Sequence, residues 1–521
     1  MNVWGSGYVT DVSYVHGVYR EQTPGIIGFT GLVTGIATPD PDGPLTYCEL
    51  GCGQGDLPNL LAAANADIEI HATDFNPAHI VGARSLAAQS GAKNVHFHDS
   101  SFAEFAADDR LPDFDVVTLH GIYSWISAEN RQHIVKFLRR RLKPGGVIYI
   151  SYNTMPGWAT LLPLRRLLVD LAGGESGPTT DRADRALLQA QGVLDAEAAY
   201  FRVNPSVAET LQLMKNQNRN YLSHEYLNAD WTPFYFADLA AELSEAKLTY
   251  LGSAHILDNI DAVNLSDVQQ QFLGAVKEPI RAQALRDYFI NQRFRRDVFV
   301  KGAVPLSPAA ATERWLDMRF VLDGPRSDVG MTIRGAQSEV TLQEEVYEPL
   351  LDALAAGPST VREMLADPKV DALGWPRLQQ ALAILVGSGQ AHPARAAEGD
   401  SLRRPGATAF NRVMLDVARG SDAMPFMASP VTGGPVTLDR VSQLFLLATV
   451  EGQADAPAFV WDILKGSGAK LMKDGNPLEK DEENLAELRQ LFAAFTDKQI
   501  PRLAAFGIVE MPDAKVKVEA A

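Results

Sequence analysis

The chain has 521 residues, 46% of them apolar and 21% charged, the composition of an ordinary globular protein with room for two to four domains. No run approaches the roughly 18 uninterrupted apolar residues of a membrane span, and Met1-Asn2-Val3-Trp4-Gly5 lacks the basic and apolar regions of a signal peptide, so a cytoplasmic protein is expected. The formal net charge of −17 disfavours a phosphate-tracking nucleic-acid binder and suits a lysine-rich or cationic partner.

Residues 1–44 form an aromatic arm carrying Tyr8, Tyr14 and Tyr19, which either folds over a ligand or packs against a sheet edge. The apolar run 45–48 then reads as a buried strand. It turns through Glu49-Leu50-Gly51-Cys52-Gly53-Gln54-Gly55 into the helical pattern Leu57, Leu60, Leu61, Ala64. Alternating glycines let backbone approach a ligand and tolerate positive φ, which suits a nucleotide-like molecule. Glu49 before the loop and Asp56 after it make a poor seat for a pyrophosphate, so the expected ligand is cationic. Cys48 and Cys52 read as reduced packing residues. The ten histidines look scattered, and His96-Phe97-His98 alternates as a strand does, so no structural metal is expected.

Strands are predicted at 45–49, 68–73, 94–98, 114–119 and 146–152, with helices at 57–65, 77–90 and 128–141. This alternation predicts a doubly wound parallel α/β sheet whose ligand groups lie at the carboxyl ends of the strands. Asp74, beside Phe75, ends the second strand 25 residues after Glu49, where a carboxylate can accept from both ribose hydroxyls. After the third strand comes Asp99-Ser100-Ser101-Phe102, a polar turn suited to an adenine edge. After the fourth comes His120-Gly121-Ile122-Tyr123-Ser124-Trp125, and after the fifth Ser151-Tyr152-Asn153-Thr154-Met155-Pro156-Gly157-Trp158.

The loop E-x-G-x-G-x-G, the spaced Asp74 and the turn Lys143-Pro144-Gly145-Gly146 resemble the class I S-adenosylmethionine-dependent methyltransferases. The resemblance implies a Rossmann-like sheet and a methyl donor held by Glu49, Gly51, Cys52, Gly53, Gln54, Gly55, Asp74, Phe75, Asp99, Ser100, Ser101, Phe102, His120 and Gly121, with no metal. The segments at 120–125 and 151–158, with Leu222-Ser223-His224-Glu225-Tyr226-Leu227, Pro233-Phe234-Tyr235-Phe236 and the stretch 285–296, are similar to methyltransferases that carry a regulatory domain. These include the rickettsial protein-lysine methyltransferases, and the likeness spans roughly residues 10–300.

The expected division is an arm (1–44), a donor-binding domain (45–260) with a helical cap insertion (153–230), and a regulatory-domain continuation (261–330). A winged-helix-like module (331–400) and an α-rich C-terminal domain (401–521) follow. The helix after Arg377 carries too little positive charge for a DNA reader, which leaves a protein-interaction module. Residues 473–483 read as a solvated connection, 515–521 as a tail, and everything past 301 as a separable docking region.

An amine acceptor must shed a proton before it attacks a sulfonium methyl, and must be held about 3 Å from it. Tyr123 and Asn153 are the expected acceptor-positioning residues, with Trp125 and Trp158 as walls and Tyr152 a further group at the same strand ends, although each aromatic also suits plain packing. His120 reads either as a donor contact or as a base for an oxygen acceptor, and Glu225 either as a cation-attracting group or as a solvated carboxylate. Three functions compete: a protein-lysine N-methyltransferase acting on an accessible lysine, a small-molecule N- or O-methyltransferase, and a non-catalytic scaffold. Oligomeric state is not legible.

Overall fold

The computed structural model describes residues 8–9, 11–12, 14–173 and 176–510; the N-terminal pentapeptide, part of the connection at 172–178 and the 515–521 tail lie outside the described residues. A helix α1 (Pro24–Thr34) precedes β1 (Leu45–Leu50), α2 (Asp56–Ala64), β2 (Ile68–Asp74), α3 (Pro77–Ser90), β3 (Val95–Asp99), α4 (Phe102–Ala107), β4 (Phe114–Leu119), α5 (Ala128–Arg141) and β5 (Leu142–Asn153). The cap then follows as α6 (Leu162–Gly173), α7 (Thr179–Asp195), α8 (Ala199–Val203), α9 (Pro205–Met214) and α10 (Arg219–Tyr226). The chain returns to the sheet through α11 (Phe236–Ser244), β6 (Leu248–Ser253) and β7 (Phe294–Lys301).

The seven strands run in the order β3-β2-β1-β4-β5-β7-β6. Five are parallel as expected, but β7 lies antiparallel between β5 and β6, so the sheet is mixed rather than wholly parallel. Strand β7 also lies beyond residue 260, the expected end of the donor-binding domain. The sheet is completed only by the segment that the sequence placed in the regulatory continuation. Period-two alternation sorts the residues onto two faces. Tyr47, Val116, Val147, Tyr149, Val298 and Val300 join a core with α1, while Cys48, Val117, Ile148, Ile150 and Phe299 join a second core under α5 and α11. The cap has a core of its own, built on Trp158, Leu168, Leu187, Leu211 and Tyr226.

Helix α1, missed in the arm, is a buried apolar helix whose N-cap Thr23 accepts from the Ile26 amide. Past the sheet, strands Ser359–Thr360, Arg319–Leu322 and Ala391–Ala394 form a small sheet with helices Glu344–Ala355, Val361–Met364 and Trp375–Gly387. This module begins at 319, before the expected 331, and it is not free-standing. Phe29 of α1 packs edge-on against Trp315 and Phe320, both at 5.6 Å. The helix Trp375–Gly387 is buried from Ala381 to its end, and a Cβ on Gly387 would lie 2.7 Å from Leu257. Only its first turns, with Pro376, Arg377 and Gln380, are exposed. A long helix, Asp400–Ala418, crosses α2 so closely that a Cβ on Gly406 would lie 2.6 Å from the Ala63 carbonyl. Arg395 clasps Asp67 with two hydrogen bonds (2.9 and 2.8 Å) and Asn65 with a third (2.7 Å). Among the described residues no helix is long and apolar enough to cross a membrane.

Candidate active site

The loop after β1 is tied to β2 by the Gly51 and Cys52 amides, which both donate to the Thr73 carbonyl (2.8 and 3.0 Å). The Asp74 carboxylate accepts from the Gly53 amide (2.9 Å), the Asn76 amide (2.9 Å) and His79 Nδ1 (3.2 Å). Gly51 and Gly55 adopt φ of +75° and +74°, conformations that L side chains resist. A Cβ on Gly51 would meet Ile122 at 2.6 Å, and one on Gly55 would meet Ala83 at 2.5 Å and Phe97 at 2.9 Å. Gly55 thus serves helix–sheet packing rather than ligand approach.

These strand ends border a cleft that opens to solvent. Its lining contains the predicted Glu49, Gly51, Cys52, Gly53, Gln54, Asp74, Phe75, Ser100, Ser101, Phe102, His120, Gly121 and Trp125. Gly55 and Asp99 are not in the lining. Asp99 ends the edge strand β3 with its side chain exposed. Ser101 caps α4, exchanging hydrogen bonds with Glu104, so its hydroxyl is engaged in the capping box.

The arm supplies the wall that sequence patterning left undecided. Tyr8, Tyr14, Val15, Gly17 and Tyr19 all line the cleft. His16 Nδ1 lies 2.9 Å from Asp56 Oδ1, the Gly17 amide donates to Asp56 Oδ2 (2.9 Å), and Gln54 Nε2 donates to the Tyr14 carbonyl (3.0 Å). Tyr19 stacks on His120 at 3.6 Å. Asp56, read from sequence only as an obstacle to pyrophosphate, is the arm's anchor.

His120 also lies 2.8 Å from the Tyr149 hydroxyl, and burial, aided by Arg296, pushes its pKa down to about 3. It is a neutral imidazole and a feeble base at neutral pH. The expected acceptor residues are not brought together. Tyr123 is buried and donates to Glu242 (2.8 Å), away from the cleft, and Tyr152 donates to buried Asp297 (2.6 Å). Trp158 belongs to the cap core, with Arg293 stacked 4.5 Å over its ring. Asn153 Nδ2 and Trp158 Nε1 are both buried without a close partner. The histidines are less scattered than expected, since parallel β2 and β3 bring donor atoms of Glu69, His71 and His96 within 4.8 Å of one another, outside the cleft lining.

Glu49 tests the fit of a cationic donor. Its Oε2 is buried with no partner, and burial, then Asp56 and Asp74, raise its pKa to about 8. A positive ligand would satisfy that oxygen and favour its ionised form. The residues present fit S-adenosylmethionine: Glu49 would face its ammonium and sulfonium end, and Asp74 its ribose. Asp74→Ala should weaken binding of S-adenosylhomocysteine by about 1.5–3 kcal/mol. Titration calorimetry reads this as a loss of roughly 10- to 150-fold, and unchanged affinity would put the ribose elsewhere.

A mixed seven-stranded sheet with a glycine loop after its first strand, a buried acidic strand end and a cation-seeking cleft defines a class I S-adenosylmethionine-dependent methyltransferase. Family models agree: a methyltransferase domain matches residues 48–148 and a predicted methyltransferase regulatory domain matches residues 218–301. An uncharacterized Synechocystis protein, sll1526, is 42% identical over 97% of this chain and 99% of its own. A Rickettsia prowazekii protein, RP789, is 28% identical over 56% of this chain and 53% of its own. The structure of PKMT2 from Rickettsia typhi in complex with AdoHcy has the same fold, with a TM-score of 0.67 at 16% identity over 95% of this chain and 99% of that one. The chain belongs to the family of methyltransferases that carry a methyltransferase regulatory domain.

Proposed function

We infer that the protein is a protein-lysine N-methyltransferase. The observation that carries this reading is the charge of the cleft: Glu49, Asp56 and Asp74 line it, with no lysine or arginine in its lining among the described residues. Such a wall repels phosphate and carboxylate acceptors and attracts an ammonium group. Tyr8, Tyr14, Tyr19 and Trp125 add aromatic faces that attract cations. The fold-wide likeness to PKMT2, with the negative charge of the whole chain, points the same way. His120, with its pKa lowered to about 3 by burial, is a feeble base for an oxygen acceptor.

Incubating the protein with radiolabelled S-adenosylmethionine and a whole-cell lysate should place label in protein, on lysine by mass spectrometry. Methyl on serine, on a carboxylate or on a free metabolite overturns the reading. Tyr123→Phe should leave turnover near wild type and cost about 1 kcal/mol of stability, the worth of its hydrogen bond to Glu242. A large loss of turnover at unchanged stability would return Tyr123 to the acceptor site.

A further inference from the structure

Strands β2 and β3 carry, on the side of the sheet covered by α4, a group of side chains that the donor cleft does not use. Period-two alternation puts Glu69 and His71 on one face of β2 and His96 and His98 on the same face of β3. Parallel pairing sets His71 opposite His96 and Thr73 opposite His98, on strands about 4.8 Å apart. Donor atoms of Glu69, His71 and His96 therefore lie within 4.8 Å of one another. His96 Nε2 approaches Glu69 Oε1 at 2.5 Å, and the His71 and His96 ring centroids are 4.8 Å apart. His98 adjoins the set, with its Nε2 3.1 Å from His71 Nδ1 and its ring stacked on His71 at 5.3 Å.

Packing fixes two of these rings. Phe114 of β4 stands edge-on to His71 (5.7 Å) and Phe105 of α4 edge-on to His98 (5.2 Å), so both half-buried imidazoles are held in place. Glu69 and His96 are exposed, which leaves a side open to an ion and its water. An exposed histidine–glutamate pair alone is an ordinary surface contact. It does not account for His71 and His98, half-buried imidazoles that meet nitrogen to nitrogen rather than on a carboxylate. A metal-ligating imidazole is usually oriented by a hydrogen bond at its second nitrogen, and His98 supplies one to His71.

We propose that Glu69, His71 and His96 bind a zinc-class divalent ion that clamps β2 to β3, with His98 holding His71 in orientation. Two imidazoles and one carboxylate suit a borderline ion such as Zn²⁺, whereas Mg²⁺ and Ca²⁺ take oxygen ligands. Bonds of about 2.0–2.2 Å put the ligand atoms of a tetrahedral zinc site about 3.4 Å apart. Rotation of the exposed Glu69 and His96 side chains brings the set to that spacing while the strands and His71 stay where they are, and water takes the fourth position. The set lies outside the cleft lining, so the ion takes no part in methyl transfer, and the proposal is independent of the lysine reading. Its effect is mechanical. It ties the edge strand β3 to β2 just before Asp74 and the turn Ser100-Ser101-Phe102, which line the cleft. Sequence spacing hid the set because two ligands come from β2 and one from β3, and each strand alone shows only alternation.

The test uses the untagged full chain, stripped with EDTA and titrated with Zn²⁺ by calorimetry at about pH 7.5, where an ordinary imidazole with a pKa of about 6.5 is mostly neutral. The wild type should take up one Zn²⁺ per chain and melt at a higher temperature in its presence, because the ion binds the folded state. His96→Ala and Glu69→Gln should each weaken that uptake by about 10-fold or more, and His98→Ala by about 10- to 100-fold. In EDTA the Glu69 and His96 variants should melt as the stripped wild type does, which separates a lost ligand from a folding defect. Co²⁺ in place of Zn²⁺ should give the wild type the visible absorption of a tetrahedral site, and His96→Ala should lack it. A wild type that takes up no Zn²⁺, or uptake unchanged in both Glu69→Gln and His96→Ala, overturns the proposal.

Discussion

A chain terminated after Lys301 is expected to be recovered unfolded or aggregated, without a cooperative thermal transition. The region beyond that point, read from sequence as a separable docking unit, supplies half of the core that supports the donor sheet. Trp315, Phe320, Leu350, Leu351 and Leu382 share one buried cluster with Tyr47, Val116 and Val147. Uncovering a fully buried residue of that size costs about 1.5–3 kcal/mol, so exposing even five exceeds or exhausts a typical total stability of about 5–15 kcal/mol. Circular dichroism and limited proteolysis check this; a soluble fragment that melts cooperatively and binds S-adenosylhomocysteine would show that the boundary is real. The C-terminal half is thus joined to the donor-binding sheet through a shared core, and helix Asp400–Ala418 lies directly on α2, every residue of which is buried.

Arg295→Ala should destabilise the protein by about 3–5 kcal/mol. Arg295 is 4% exposed and bridges Asp297 (2.7 Å) and Asp287 (2.6 Å), which are 1% and 2% exposed, with Phe236 stacked 4.2 Å away. Removing the cation leaves two buried carboxyls uncompensated. Even with Arg295 present, burial raises the Asp287 pKa to about 6. A folded pKa above the unfolded value means stability that is present at low pH and lost as pH rises through the folded value. The deficit of the variant should therefore be larger at pH 8 than at pH 5, which urea titrations at both values measure. An equal deficit at the two would show that lost packing, rather than charge, is what the variant suffers.

This network explains what was legible in the sequence and what was not. The stretch 285–296 carried a family resemblance, but nothing in its spacing said that Asp287 and Arg295 would meet inside the protein, because Asp287 sits on helix Pro279–Ile290, Arg295 and Asp297 on β7, and the covering Phe236 on α11. Strands β1–β5 and their helices were readable because period-two and 3.6-residue patterns are local. Helix Asp400–Ala418 was missed because Pro405-Gly406 reads as a breaker. Only the fold shows that glycine there admits the Ala63 carbonyl. Glu49 and Asp74 were legible from the loop they frame. Tyr123 and Tyr152 were misplaced because proximity to a strand end does not say to which side a ring turns, and the hydroxyls found carboxylates instead, Glu242 for Tyr123 and buried Asp297 for Tyr152. Asp99 was overvalued because an edge strand ends in solvent. Glu225 could be noticed in sequence but not weighed, since the groups that act on it, Asn153, Arg293 and Arg165, come from β5, the segment before β7 and α6.

The arm has a kinetic corollary. Donor and spent product share a cleft whose wall is fastened by His16 on Asp56, Gln54 on the Tyr14 carbonyl and Tyr19 on His120. The hydrogen bond to Asp56 raises the pKa of His16, so the fastening carries a full charge pair below that value and only a neutral imidazole above it. Residence time of the bound nucleoside is then a property of the N-terminal segment as much as of the glycine loop, and exchange quickens on the alkaline side, where a lysine amine is also easiest to deprotonate.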